Sequence, residues 1–148
     1  VNTRTLEGEN LKNDLLGKLD YMERLVSEVE ERSPQVISEY RIKLEDKIRE
    51  LLASAAIDEN RIATEVTIFA DKICVDEEPV RLRSHISNTR KELTEGGSIG
   101  RKLDFIAQEM NREANTILSK ANDLEISQRA IALKTEVEKV REQIQNIE

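Results

Sequence analysis

The chain has 148 residues, of which 36% are charged and 3% aromatic, with two prolines and five glycines, a composition typical of long helices. The formal net charge of −7 argues against indiscriminate binding of nucleic acids. Neither a signal-peptide core nor an apolar run of about 18 residues is present, so no membrane partner is predicted. The single cysteine fits a reducing cytosol, and we expect a cytoplasmic protein. Because the sequence starts with VNTRTLEGEN rather than methionine, we expect a piece of a longer protein.

The first third of the sequence predicts a helical hairpin over about residues 5–55. Its first helix runs from about Thr5 to Arg32, because aliphatic residues recur at every third or fourth position. Ser33 is expected to cap a second helix that begins at Pro34, since proline suits the first turn of a helix. The stripe of the first helix consists of Leu11, Leu15, Leu19, Met22, Val26 and Val29.

Two shorter helices are predicted in the middle of the chain, over about residues 59–94. Asp58 and Asp76 are their expected caps, since aspartate favours that position. A glycine-rich loop follows at residues 96–100, where the sequence reads GGSIG.

The helical pattern is almost continuous over about residues 101–147 and predicts one long helical region. A stripe from Leu103 to Leu124 has helical spacing, and its register then shifts. After the shift, spacings of four and three alternate over three heptads, which predicts a seam packed against the first helix or another subunit. The seam residues are Ile126, Ala130, Leu133, Val137, Val140, Ile144 and Ile147.

These elements predict an all-α fold of long antiparallel helices in helical hairpins, with a heptad-patterned C-terminal helix. No strand pattern or internal repeat is present in the sequence. The predicted loops are too short for a second domain, so residues 1–148 are expected to form a single helical domain.

Basic residues are concentrated in the middle of the chain. Residues 81–120 contain eight lysines and arginines and five acidic residues, which leaves a net charge of −10 on the rest. Such a segment is either a binding surface or chance clustering on solvated helices, and the sequence leaves both open.

Residues 101–120, RKLDFIAQEMNREANTILSK, are unusually rich in amides for a helix. With the apolar stripe inward, the outer face carries Gln108, Asn111, Arg112, Asn115, Ser119 and Asn122. Amides and arginine suit the phosphates and 2′-hydroxyls of RNA. Alternatively, this face packs between subunits, where its amides satisfy buried polar groups.

Glu109 and Glu113 lie one helical turn apart, where like charges repel each other. Two carboxylates at this spacing can hold a divalent cation through oxygen ligands. The commoner alternative is that Arg112 or a lysine of a neighbouring helix neutralises them.

The segment DEEPVRLRSH places Glu78, Arg81 and His85 on one helical face. A side chain that moves a proton, beside an arginine that holds a phosphate, is what phosphodiester cleavage needs. A lone histidine is nevertheless more often structural. The sequence contains no P-loop and no Cys/His metal motif, and Cys74 lacks a neighbouring base, so we do not expect it to be a nucleophile.

The segment GGSIGRKLDFIAQEMNREANTILSKANDLEIS resembles the C-terminal domain of the YicC/YloC family of bacterial endoribonucleases. The tail LKTEVEKVREQIQNIE and the middle IATEVTIFADKICVDEEPVRLRSHI are similar to the same family, so the resemblance covers essentially the whole chain. It implies a cytosolic ribonuclease that uses a divalent metal ion and assembles into a hexameric ring. The chain departs from the family pattern at Leu118, where glycine is more frequent, and at Ala121, where serine is frequent.

On this resemblance we assign hypothetical roles. His85, Glu109 and Glu113 are the expected catalytic residues, and Glu78, Glu109 and Glu113 the expected ligands of Mn²⁺ or Mg²⁺. The expected RNA-binding residues are Arg4, Arg81, Arg101, Lys102, Gln108, Asn111, Arg112, Asn115 and Lys120. The rival hypothesis is a non-catalytic helical oligomerisation or RNA-clamp module, with catalysis in a missing N-terminal domain or a partner nuclease.

Overall fold

Five α-helices make up the computed structural model, which describes the backbone of residues 2–51, 58–96 and 100–147 and the side chains of residues 9–51, 58–96 and 100–146. They are α1 (Asn2–Leu51), α2 (Glu59–Lys72), α3 (Glu77–Glu95), α4 (Gly100–Lys120) and α5 (Leu124–Ile147). No strand occurs in the described ranges, which confirms the predicted all-α class. Within the same ranges, no helix is long and apolar enough to cross a membrane.

The predicted hairpin over residues 5–55 is wrong, because α1 continues through Ser33 and Pro34 as one helix of 50 residues. Ser33 is not a cap: its Oγ donates a hydrogen bond to the Val29 carbonyl at 2.8 Å, inside the helix. Pro34 has no amide hydrogen, so one helical hydrogen bond is missing at this turn. Packing outweighs that loss, because Val29 and Val36 on either side are buried in the same core.

The predicted helical region over residues 101–147 is interrupted at residues 121–123, where the chain reverses direction. The Ile126 amide donates to Asp123 Oδ2 at 3.1 Å, so Asp123 caps α5. Arg141 near the end of α5 bonds Asp104 near the start of α4 at 3.0 Å, and α4 and α5 are therefore antiparallel. The shift of register in the sequence corresponds to this turn.

A four-helix bundle holds the core. In it α1 and α4 lie on opposite corners, and each packs against both α3 and α5. The heptad seam of α5 is buried at Ile126, Ala130, Leu133, Val137, Val140 and Ile144. Its predicted packing against the first helix is confirmed, and α4 covers its other side.

The helix α2 lies outside this bundle and packs on the C-terminal part of α1. The rings of Tyr40 and Phe69 stack there, with centroids 3.9 Å apart. Asp58 caps α2 as predicted, since its Oδ1 accepts hydrogen bonds from the amides of Asn60 and Arg61.

One end of α3, the N-terminal end, differs from the prediction. Asp76 makes no side-chain capping bond; it accepts a hydrogen bond from Cys74 Sγ at 3.1 Å instead. Gly96 ends α3 with a φ of 73°, a conformation that glycine adopts without strain. Gly100 already belongs to α4, and residues 97–99 of the predicted loop lie outside the described residues.

Candidate active site

The helices α3 and α4 are antiparallel and are joined by ion pairs at three levels. In each pair a cation of one helix meets a carboxylate of the other, so the pairs define one register between the helices. The pairs are Lys102 Nζ to Glu92 Oε1 at 2.7 Å, Arg81 Nε to Glu113 Oε1 at 2.9 Å, and Lys120 Nζ to Glu78 Oε1 at 2.7 Å.

Glu78 and Glu113 are the buried members of this arrangement, with 2% and 6% of their surface exposed. In each carboxylate one oxygen is bonded to a cation, while Oε2 is buried and has no hydrogen-bond partner among the described residues. A buried oxygen without a partner is costly, and in folded proteins it usually has a ligand, a water or a catalytic role. The α3–α4 face therefore holds two acceptor atoms that no described residue satisfies.

Arg81 connects the two buried carboxylates. Its Nε donates to Glu113, its Nη1 donates to Glu77 Oε2 at 3.1 Å, and its Nη2 lies 3.9 Å from Glu78 Oε1. The hydrogen bond to Glu113, followed by the one to Glu77, raises the pKa of Arg81 above its ordinary value. The side chain is still 47% exposed, so the guanidinium has a face open to a phosphate from solvent.

His85 lies on the same side of α3, one turn beyond Arg81, and is half-buried. Its imidazole has no hydrogen bond to a described residue, whereas its carbonyl accepts one from Thr89 Oγ1 at 2.8 Å. The register of α3 on α4 brings His85 level with Glu109, because each lies four residues from a member of the Arg81–Glu113 pair. His85 and Glu109 thus lie at the same level of the α3–α4 pair, one turn from Arg81 and Glu113.

The three predicted metal ligands do not come together. Within residues 9–51, 58–96 and 100–146, no group of three or more His, Cys, Asp or Glu side chains is placed to hold a metal ion. Glu109 points instead toward Arg112, whose Nη1 lies 3.9 Å from Glu109 Oε1. Glu78 and Glu113 remain as a pair, with Arg81 and Lys120 supplying positive charge beside them.

Two predicted RNA-binding lysines form ion pairs with carboxylates of α3. Lys120 pairs with the buried Glu78, and this hydrogen bond raises the pKa of Lys120. Lys102 pairs with Glu92, which raises the pKa of Lys102 in the same way. In this structure the two lysines neutralise carboxylates of α3 and so contribute to the packing of α3 on α4.

The other predicted RNA-binding residues fall on different sides of α4. Arg101, Gln108, Arg112 and Asn115 are exposed on its outer face, whereas Asn111 lines a shallow groove against α5. Phe105, which no motif in the sequence singled out, is exposed on the outer face with them. The signal in the sequence that could have placed Phe105 on this face is its helical spacing from Arg101 and Gln108. The Arg4 side chain lies outside the described residues.

The fold and this face define a class: an all-helical domain that presents buried acids, an arginine and a histidine along one helix pair. A sequence model described as "Endoribonuclease YicC-like, C-terminal" matches residues 29–148. The chain belongs to that family.

Two curated relatives are both named "Probable endoribonuclease YicC". The protein of Clostridioides difficile is 47% identical over 146 residues, and that of Haemophilus influenzae is 38% identical over 145 residues. Both alignments cover 98% of this chain and 50% of the relative. The chain therefore spans about half the length of these relatives.

Proposed function

We propose that this chain carries the catalytic site of an endoribonuclease that hydrolyses RNA phosphodiester bonds. The observation that supports this most is the pair of buried carboxylates, Glu78 and Glu113, with their unpartnered oxygens beside the half-exposed Arg81. The names of the two relatives indicate the same activity. By resemblance the proposal includes a cytoplasmic location and a hexameric assembly, and light scattering on the full-length protein tests the assembly.

In the proposed reaction a water attacks the phosphorus, and the bond from phosphorus to the leaving ribose oxygen breaks. Arg81 binds the non-bridging phosphate oxygens, where negative charge increases in the transition state. Glu113 Oε2, which has no hydrogen-bond partner among the described residues, accepts a proton from the attacking water. His85 in its protonated form gives a proton to the leaving oxygen, and each bond made or broken is then balanced by one proton transfer.

A divalent cation, Mn²⁺ or Mg²⁺, is also part of the proposal. The free oxygens of Glu78 and Glu113 are of the type such ions prefer, and Mg²⁺ sites commonly use only one or two carboxylates together with substrate phosphates. Glu78 Oε2 would hold the ion, and Glu113 Oε2 would hold a water bound to it; the ion would lower the pKa of that water and offset phosphate charge. Glu109 is left out of this set because it is directed toward Arg112.

The test is cleavage of a labelled RNA by the full-length protein with Mn²⁺, with RNA binding measured in parallel. Glu113→Gln and His85→Gln should each lower the cleavage rate by about 10²- to 10⁴-fold while RNA affinity stays within about twofold. Glu138→Gln, at an exposed position of α5, is the matched control and should leave both unchanged. Unchanged cleavage in the site variants would favour the rival RNA-clamp function, with catalysis elsewhere.

Glu109→Ala tests the earlier assignment of Glu109 separately. If Glu109 only balances Arg112, its removal should change cleavage far less than Glu113→Gln does. A loss as large as that of Glu113→Gln would return Glu109 to the catalytic set.

A further inference from the structure

A cavity of about 430 Å³ lies where the C-terminal end of α2 and the first turn of α3 meet the middle of α1. Small-molecule sites in proteins have volumes of roughly 300–1,000 Å³, so this cavity is large enough for a ligand. It is distinct from the candidate active site, since none of Glu78, Arg81, His85 and Glu113 lines it. The proposed function therefore leaves this cavity without a role.

The walls of the cavity are apolar and aliphatic. Ile73, Val75 and Pro79 are buried there, and Ile37 and Ala70 are half-buried. Among the described residues that line the cavity, none is aromatic, so the walls offer no ring on which a flat ligand would stack. Walls of this kind stabilise the methylene groups of a flexible chain.

The mouth of the cavity is acidic. Asp71 and Asp76 are exposed there and form no ion pair with a described residue, whereas Glu30 beside them is paired with Arg83. Asp76 accepts a hydrogen bond from Cys74 Sγ at 3.1 Å, and this neutral donor leaves the charge of Asp76 uncompensated. No lysine, arginine or histidine is among the described lining residues. The mouth therefore disfavours an anionic ligand and attracts a cation.

The end of α2 adds a second source of negative potential. The helix ends at Lys72, and its last turn contributes Ala70 and Asp71 to the cavity. The carbonyls of Ala70, Asp71 and Lys72 accept no backbone hydrogen bond from a described residue, because the helix stops there. The C-terminal end of a helix carries a partial negative charge, which stabilises a nearby cation. A cation at the mouth thus meets both the carboxylates and this helix end.

We propose that the cavity binds a linear aliphatic amine with two or more ammonium groups, whose methylene chain contacts the apolar walls and whose ammonium groups pair with Asp71 and Asp76. Such a molecule combines an apolar chain with separated positive charges, so it matches the walls and the mouth together. Its primary amines are protonated near pH 7, as the lysine side chain is. The inference is independent of the proposed function, because it uses none of the residues assigned to RNA cleavage.

The test is calorimetric titration of the full-length protein, freed of nucleic acid, with three probes that have the same five-carbon chain. The probes are pentane-1,5-diamine, pentylamine and pentane-1,5-diol, which differ only in the number of ammonium groups. The diamine should bind about tenfold more tightly than pentylamine, since the second ammonium adds a charged hydrogen bond. The diol should show no saturable binding. Equal affinity for the diamine and the diol would overturn the inference.

Four variants separate the cavity from a general attraction of amines to an acidic protein. Asp71→Asn and Asp76→Asn should each weaken diamine binding by about tenfold. Ala70→Leu fills part of the cavity without a change of charge and should abolish binding. Glu65→Gln removes an exposed carboxylate of α2 that does not line the cavity, and as the matched control it should bind like wild type. Circular dichroism shows whether each variant is folded.

Two results would assign the attraction to net charge and overturn the inference. One is that Glu65→Gln weakens binding as much as Asp71→Asn does, and the other is that a folded Ala70→Leu binds the diamine like wild type. Absence of diamine binding to wild type would also overturn it, and cleavage of RNA, measured separately, would still decide the proposed function. If wild type does not bind the diamine and Ala70→Leu changes the mass of the assembly in light scattering, another copy of the chain fills the cavity, which again overturns the inference.

Discussion

Arg81 on α3 donates a hydrogen bond from Nε to Glu113 Oε1 on α4 at 2.9 Å, and its Nη2 lies 3.9 Å from the buried Glu78. One cation thus faces two carboxylates that come from different helices. Arg81 thus offsets the charges of two buried carboxylates. One oxygen of each carboxylate has no hydrogen-bond partner among the described residues.

Replacement of Arg81 separates its geometry from its charge. Arg81→Lys keeps the positive charge but loses the planar fork that faces Glu113 and Glu77 together, so we expect it to restore little of the activity lost in Arg81→Met. Both variants should lower the cleavage rate by about 10²-fold or more in single-turnover assays. Full activity of Arg81→Lys would show that a point charge suffices at this position.

Removal of Lys120 should destabilise the fold, because it leaves the carboxylate of Glu78 buried without its closest cation. Breaking a buried pair costs about 3–5 kcal/mol, and since Lys120 is partly exposed we expect about 1–3 kcal/mol for Lys120→Met in urea unfolding. The double variant Glu78→Gln with Lys120→Met should regain part of this loss. Lys102→Met, at a more exposed pair, is the control and should destabilise the fold less than Lys120→Met does.

Metal binding can be measured without any activity assay. Calorimetric titration of the full-length protein with Mn²⁺ should show binding that Glu78→Gln and Glu113→Gln each weaken by tenfold or more, since Glu78 would hold the ion and Glu113 a water bound to it. Glu109→Gln should bind Mn²⁺ as wild type does, because Glu109 faces Arg112. Weakening by Glu109→Gln equal to that by Glu113→Gln would restore the three-carboxylate site that the sequence suggested.

The contact between Arg32 of α1 and Asp123 at the start of α5 predicts a dependence of stability on pH. Two hydrogen bonds from Arg32, with smaller help from the Ile126 amide, lower the pKa of Asp123 below its ordinary value of 3.8. The unfolded chain therefore takes up the proton first as the pH falls. The stabilisation is complete above pH 3.8 and is lost as the pH falls through the folded-state pKa.

Asp123→Asn tests this dependence, since asparagine retains the capping ability but not the charge. The free energy of unfolding of the variant should be lower than that of wild type at pH 7, and the difference should shrink as the pH falls below 3.8. Asp58→Asn, at the cap of α2, is the control. A difference for Asp123→Asn that is constant with pH would contradict the assignment to the Arg32 pair.

Pro34 removes one backbone hydrogen bond from α1, at a turn flanked by the buried Val29 and Val36. Pro34→Ala should raise the free energy of unfolding by about 1–2 kcal/mol, because proline costs about 3 kcal/mol inside a helix and part of this is offset by its stiffening of the unfolded chain. Thermal unfolding by circular dichroism measures the change. A destabilised variant would show that the proline ring contributes contacts that alanine lacks.

Local signals in the sequence were accurate where the structure depends on local spacing. The alternation of four and three predicted the buried seam from Ile126 to Ile144, and Asp58 caps its helix as expected. The break at Pro34 was predicted wrongly for a physical reason: the burial of Val29 and Val36 in one core outweighs the local preference of proline to start a helix. The face shared by Glu78, Arg81 and His85 was predicted, but the partner of each charge was not.

By itself, the sequence determined the helical class, most of the buried positions of the helices and the residue types present on α3 and α4, because the period of a helix is a property of neighbouring residues. Leu124, predicted at the end of a buried stripe, is exposed. The tertiary structure decided which charges meet. Lys120 and Arg112 are cations of the same helix. Lys120 pairs with Glu78, 42 residues away in the chain, whereas Arg112 is mostly exposed and meets Glu109 of its own helix. Such pairings depend on the register between helices, and that register is set by the packing of the whole bundle rather than by any one segment.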